Sequence, residues 1–282
     1  MATALQLQRS GVDFMIFEKN QAGGLLWNAQ LIENYPGFPR GISGPALAEI
    51  FREQLEQWKI PISAARVKNL DYRNDALFIT TEHSRIKSEV VVIASGTNAD
   101  VLPAPSIPHE VLDRVFTEAF PLREQSGKHI AIVGAGDAAF DYGLNLACKN
   151  RVTILCRGNK PNCLPLLERR VKNSSRITLR RKARLAAIEK NKKGLALSLK
   201  EERWSQAQTI TADILLVAIG RSPSLDFMGP TVIKRQQKLG QEGRLYFVGD
   251  VSNRHYRQAG ICVGDGIKAA MRIYESRRAI QT

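Results

Sequence analysis

Short apolar runs that end in glycine recur along this chain, separated by stretches of alternating or helical spacing. His129-Ile130-Ala131-Ile132-Val133 runs into Gly134-Ala135-Gly136-Asp137-Ala138-Ala139. A helix-like stretch follows to about Cys148, and then a second strand, Val152-Thr153-Ile154-Leu155. Val90 to Ser95 closes on Gly96, Ile214 to Ile219 on Gly220, and Leu245 to Val248 on Gly249-Asp250. Near-continuous apolar strands of this kind predict parallel strands buried on both faces. Phe14 to Glu18 reads as a strand fed by a helix. From Gly44, with Pro45 in the first turn, Leu47, Ile50, Phe51, Leu55 and Trp58 share one helical face. Residues 62 to 88 predict a strand meander turning near Arg73-Asn74-Asp75. A second meander is expected between Ile177 and Leu199, with a turn at Asn191-Lys192-Lys193-Gly194. The stretch holding Pro103, Pro105, Pro108 and Pro121 predicts a linker. Gly264 to Tyr274 has helical spacing.

Two copies of one plan emerge: strand, helix, strand, meander, strand with a terminal glycine. The fold class expected is α/β, with two Rossmann-like three-layer nucleotide-binding domains, the second inserted in the first. The boundaries expected are 1–102 with 226–282 for one domain and 103–225 for the other. Strand, glycine turn, helix, strand is the setting in which such glycines bind a dinucleotide. Gly134 makes the tight turn, and Gly136 lets backbone approach a pyrophosphate on the helix N-terminus.

Composition narrows the class. The 282 residues are 44% hydrophobic and 24% charged, the make-up of a globular protein with a large core. No apolar run approaches the ~20 residues of a membrane helix, and no signal-peptide layout opens the chain, so a cytoplasmic protein without membrane contact is expected. Cys148, Cys156, Cys163 and Cys262 form no C-x-x-C pair and no zinc-like spacing with the four histidines, so no metal site is expected. Lys149 to Arg203 holds 17 Lys and Arg against 4 Asp and Glu, nearly the whole net charge of +14. Such a face is either solvated or attracts an anion: a phosphorylated cofactor or an acidic protein. Few aromatics interleave it, which argues against nucleic acid.

The motifs together resemble the low-molecular-weight thioredoxin reductases of the pyridine nucleotide-disulfide oxidoreductase flavoproteins. The similarity rests on Gly23-Gly24-Leu25-Leu26, Ile32 to Pro39, Gly134 to Ala139, Ala218 to Pro223, Gly249-Asp250 and Tyr256 to Ala259. It spans essentially the whole chain. It implies that Glu18 accepts from the adenosine ribose of FAD, that Gly23, Gly24 and Asn34 line the FAD crevice, and that Gly249 and Asp250 meet the ribityl chain. It places Arg257, Gln258 and Ala259 at the flavin ring, where helix-terminal charge favours the reduced anion. Gly134, Gly136, Asp137 and Ala139 would cradle the NAD(P) pyrophosphate. A homodimer follows by analogy alone.

The departures shape the functional expectation. After Leu155 stand Cys156-Arg157-Gly158-Asn159-Lys160, with no acid. Arg157 is placed for a 2′-phosphate, which favours NADPH and leaves NADH open, since only one position of the family's frequent His-Arg-Arg is matched. The family's Cys-x-x-Cys-Asp falls on Thr117-Glu118-Ala119-Phe120-Pro121, which lacks the thiolate that disulfide exchange requires. Leu25 replaces a glutamine that bonds flavin. Cys262 follows the Arg257-Gln258 motif and is expected in the core. No glycine loop precedes Phe14, and by family spacing Met1 follows that loop's last glycine. Either the reading starts late or FAD binding is weakened, and the intact downstream positions favour a late start. The expectation is an FAD-dependent NAD(P)H oxidoreductase that hands electrons to an acidic carrier protein or a small-molecule acceptor, without an internal dithiol. The alternative is a non-catalytic nucleotide-binding or scaffold protein.

Overall fold

The computed structural model describes residues 1–201 and 208–281. The end of the basic segment, Glu202 and Arg203, lies outside the described residues. The chain divides into two compact units, Met1–Trp27 with Leu31–Asn98 and Ser222–Thr282, and Asn28–Gln30 with Ala99–Arg221. The crossings fall at 98/99 and 221/222, where the sequence reading put them at 102/103 and 225/226.

The first unit opens with α1 (Ala2–Arg9), β1 (Phe17–Glu18) and α2 (Gly44–Gln57). The predicted strand Phe14 to Glu18 is thus mostly extended chain, with Phe14 and Ile16 still packed inward. Ser43 caps α2 by accepting the Ala46 N–H at 3.3 Å, and Pro45 occupies its first turn. Its buried stripe is Gly44, Leu47, Ala48 and Leu55. Ile50 and Trp58, expected on that stripe, are exposed, because the helix ends at Gln57 and the close-packed face is set by the small residues. Next come β2 (Ser63–Ala64), parallel to β1, and the antiparallel meander β3 (Asn69–Arg73), β4 (Ala76–Thr80) and β5 (Arg85–Ser88). Asn74 and Asp75 both have positive φ, as a two-residue hairpin turn of matching twist requires. β6 (Val91–Ile93) follows, and the chain leaves the unit within β7 (Thr97–Ala99).

The second unit holds a five-stranded, all-parallel sheet. The Pro-rich stretch is more than a linker: β8 (Val115–Phe116) is the sheet's edge strand, since Val115 and Phe116 each pack on a different core cluster. After it run β9 (His129–Val133), α3 (Asp137–Leu146), β10 (Arg151–Cys156), α4 (Pro165–Lys172) and β11 (Ile177–Arg181). β11 pairs parallel with β10 and does not open the second meander, as its sequence had suggested. That meander is β12 (Ala183–Asn191), β13 (Gly194–Glu201) and β14 (Gln208–Ala212), and β15 (Ile214–Val217) returns to the sheet. The order is β11-β10-β9-β15-β8.

Alternation along each central strand splits the core. Ile130, Ile132, Val152, Ile154 and Leu216 face α3 and α4, packing on Phe140, Leu146 and Val171. Ala131, Leu155, Leu215 and Val217 face the meander, packing on Leu185, Ile188, Leu195, Leu197 and Leu199. Both faces are sealed, so the strands read as unbroken apolar runs.

The chain re-enters the first unit through β16 (Arg221–Pro223), then forms α5 (Pro230–Gln241), β17 (Leu245–Phe247) and α6 (Ala259–Gln281). β17 pairs parallel with β6. Leu245 and Ile93 face the cluster built on the meander and α5, and Tyr246 and Val92 face α6 and α1. The parallel strands of this unit form two separate pairs, β1-β2 and β6-β17, which leaves Val91 and Val92 half-buried where full burial was expected. α6 runs well beyond the predicted Gly264 to Tyr274.

Candidate functional site

In the second unit the strand order reverses at β9. The chain moves from β9 to β10 on one side and returns as β15 on the other. In open α/β sheets ligands bind outside the carboxyl ends of strands at such a point. The glycine loop lies there. A Cβ on Gly134 would stand 2.3 Å from the Ala218 carbonyl oxygen beyond β15 and 2.9 Å from the Ala139 Cβ. Gly134 therefore sets how closely the loop, the start of α3 and β15 meet. Above Gly136 the nearest atom to such a Cβ is the Asn162 carbonyl at 3.7 Å, so backbone is open to a ligand at the N-terminus of α3.

Arg157 and Lys160 are exposed on the loop after β10. That loop is clasped to the glycine loop. The Asn162 N–H donates to the Ala135 carbonyl at 2.7 Å, and the Leu164 N–H donates to Asp137 Oδ1 at 2.7 Å. Its other side is held by the Lys182 N–H on the Gly158 carbonyl at 3.0 Å. Asp137, expected beside the pyrophosphate, thus uses one carboxylate oxygen to hold the neighbouring loop. The clasp carries no side-chain pattern at Asn162 or Leu164, because their backbone groups make it.

One turn along α3, Asp141 accepts the Gln30 N–H at 3.1 Å, and burial pushes its carboxyl up to about 6. Around the positions matching the family dithiol, Thr117 is exposed, Ala119 is fully buried, and the Phe120 ring lies 4.0 Å from the Arg123 guanidinium carbon. The Phe120 N–H donates to Asn28 Oδ1 at 2.9 Å, Asn28 Nδ2 donates to Glu118 Oε2 at 3.4 Å, and Arg221 pairs with Glu118 at 3.4 Å.

In the first unit, the structure brings together two residues 224 positions apart: Asn34 Nδ2 donates to Gln258 Oε1 at 2.8 Å. Arg257 and Gln258 immediately precede α6, and Ala259 begins it. Gly249 has positive φ (+74°), and its N–H donates to Asp265 Oδ2 at 3.1 Å. Asn253 Nδ2 donates to the same carboxylate at 2.6 Å. Asp250 Oδ1 accepts the Cys262 thiol at 3.2 Å. Burial, with the Asp250 charge second, pushes that thiol up to about 12. Cys262 is thus half-buried against a carboxylate and not in the apolar core that its lack of a partner had suggested. Cys262 and Asp265 stand three apart in α6, and that spacing is the signal in the sequence that could have joined them on one helical face.

Glu18 ends β1, where its Oε1 accepts the Asn20 N–H at 2.8 Å. A Cβ on Gly23 would meet Trp27 Nε1 at 2.7 Å and the Ala48 Cβ at 2.9 Å. Gly24, in open space with φ +54°, starts a 3₁₀ turn. These contacts hold Gly23 to α2, while the group around Gly249 gathers on α6.

A model of the pyridine nucleotide-disulphide oxidoreductase family matches residues 1–266. The chain belongs to this family. Among its relatives, the NADPH-dependent thioredoxin reductase 3 of Arabidopsis thaliana is 27% identical over 95% of this chain. The thioredoxin reductase of Neurospora crassa is 27% identical over 95% of this chain and 87% of its own length. The chain spans 54% of the Arabidopsis relative and 61% of a bifunctional thioredoxin reductase/thioredoxin from Mycobacterium leprae. Its fold matches the Lactococcus lactis thioredoxin reductase with a TM-score of 0.85 at 24% identity, covering 99% of this chain and 95% of that one. The T. acidophilum thioredoxin reductase also superposes with a TM-score of 0.85, at 22% identity over 98% and 94% of the two chains. The α/β fold with two Rossmann-like domains is that of these structures, and the Arabidopsis relative is named as NADPH-dependent. Among the described residues no helix is long and apolar enough to cross a membrane, and no metal-ligand cluster occurs.

Proposed function

We propose that this chain is an FAD-dependent NAD(P)H oxidoreductase that passes electrons to an acceptor without an internal dithiol. The observation that carries the reading is the glycine loop at the switch point, packed against Ala218 and open above Gly136. The unit built on residues 103–225 takes the nicotinamide nucleotide: Gly134, Gly136 and Ala139 hold the pyrophosphate, and Arg157 meets a 2′-phosphate. The unit built on 1–102 and 226–282 takes FAD, through Glu18, Gly23, Gly24, Asn34, Gly249, Asp250, Arg257, Gln258 and Ala259. Open space over Gly24 and the Asn34–Gln258 pair support that assignment. Flavin, when bound, supplies the two-electron acceptor for the nicotinamide hydride. The chain's own residues orient both cofactors and favour charge at the start of α6. Thr117 and Phe120 cannot carry a disulfide, so the acceptor is an acidic electron carrier or a small molecule, and the basic residues of the nucleotide unit suit the former.

The test is an anaerobic absorbance titration of the protein, purified from its full reading frame and incubated with FAD. A flavin band that bleaches with NADPH and far less with NADH is the expected result. A protein that retains no flavin, or a band indifferent to both nucleotides, would overturn the oxidoreductase reading and leave the nucleotide-binding scaffold.

A further inference from the structure

A second cationic site lies in the first unit, away from every residue assigned above. A cavity of about 370 Å³ opens where the tip of the β3-β4 hairpin meets the first turns of α5. Arg73 and Asn74 line it from the hairpin, and Thr231, Lys234 and Arg235 line it from the helix. Lys234 and Arg235 lie three and four positions beyond Thr231, which puts both beside it on the helix.

The walls are held by two acids: Asp75, which lines the cavity beside Tyr72, and Asp71, next to Tyr72 in sequence. Asp75 accepts the Tyr72 hydroxyl at 2.6 Å and Arg244 Nη1 at 2.7 Å, while Arg244 Nη2 donates to the Asp75 carbonyl at 2.6 Å. These partners hold the Asp75 carboxyl below the usual carboxylate range. Asp71 accepts the Thr231 hydroxyl and the Tyr72 N–H, which ties the hairpin to α5. Both carboxylates are thereby committed to holding the hairpin tip. Among the described residues no carboxylate lies within ion-pair distance of Lys234 or Arg235, while the Arg73 charge helps to hold the Asp71 carboxyl low. The Arg73 and Arg235 guanidiniums rest 4.5 Å and 5.2 Å from the Phe78 and Tyr72 ring centroids, which orients them without cancelling their charge.

We infer that this cavity binds a small phosphate-bearing anion. Two guanidinium forks and an ammonium are the donor set that phosphate oxygens favour, and the Asn74 amide adds a neutral donor. The volume exceeds that of a bare phosphate, so it has room for a phosphate ester or a diphosphate.

Isothermal titration with inorganic pyrophosphate tests this, with saturating NADP⁺ and FAD present to compete for the glycine loops. Lys234→Gln and Arg235→Gln lie on exposed positions, so the double variant keeps its fold, which circular dichroism checks. The expected result is at least a tenfold loss of pyrophosphate affinity in that variant and an unchanged affinity in Arg157→Ala. Equal affinity in the double variant, or a loss in Arg157→Ala, overturns the site. Citrate or hexaglutamate binding as tightly as pyrophosphate overturns the phosphate assignment, the latter in favour of an acidic protein partner.

Discussion

The Ala218 carbonyl oxygen occupies the space that a side chain at position 134 would need. A methyl group on Gly134 would lie 2.3 Å from that oxygen, with backbone and the Ala139 methyl group on its other sides. Gly134→Ala must therefore push β15 or α3 away, at a cost of about 1–3 kcal/mol or more. Gly136→Ala meets only ordinary contact at 3.7 Å, so it leaves stability unchanged and narrows the mouth of the loop. Thermal melts and NADPH titrations of the pair should separate: the first variant loses stability, and the second loses nucleotide affinity alone. Equal melting temperatures for wild type and Gly134→Ala would show that the packing at the switch point is soft.

Cys262 should be inert. Its thiol is pushed up to about 12 by burial and by the adjacent Asp250 carboxylate, and the thiolate is the reactive form. Cys148 is exposed. Iodoacetamide at pH 8, followed by peptide mass mapping, should label Cys148 and leave Cys262 unmodified in the folded protein. Comparable labelling of the two would mean that the Cys262–Asp250 contact does not persist in solution.

Asp141 makes stability depend on pH in a defined direction. Its carboxyl is raised from 3.8 to about 6. Between those values the folded protein holds a proton that the unfolded chain has released. Stability from this group is therefore full below about pH 4 and declines as pH rises through about 6. The loss is on the order of 1–3 kcal/mol. Asp141→Asn keeps an oxygen for the Gln30 N–H and removes the titration. Melting temperatures from pH 4 to 7 should fall less steeply in the variant, which should be the more stable protein at pH 7. Parallel profiles would remove Asp141 as the cause.

Elements with a one-dimensional signature were legible in the sequence. β9, β10 and β15 are apolar on both faces because both faces are sealed, and Gly44-Pro45 marks the start of α2 by the proline in its first turn. What escaped depends on partners remote in sequence. Val115-Phe116 is a strand only because β15 lies beside it, and two apolar residues within a Pro-rich stretch carry no period. Ile177 to Arg181 alternates like a meander strand, yet it joins β10 in a parallel ladder. In the first unit, the Gly249-Asp250 motif was visible, but its dependence on Cys262 and Asp265 needed the helical face of α6. Asp137 could be placed at a helix start, but not its bond to the Leu164 N–H, since a backbone acceptor or donor leaves no trace in residue type.

That last point bears on how the loop after β10 can change over time. Its two fastenings to the glycine loop engage the backbone at positions 162 and 164, and its third engages the backbone at position 158. The side chains at 157, 159 and 160 take no part in them. Substitutions there can accumulate without unfastening the loop, so preference for one nucleotide over another is free to drift while the frame that presents it stays in place.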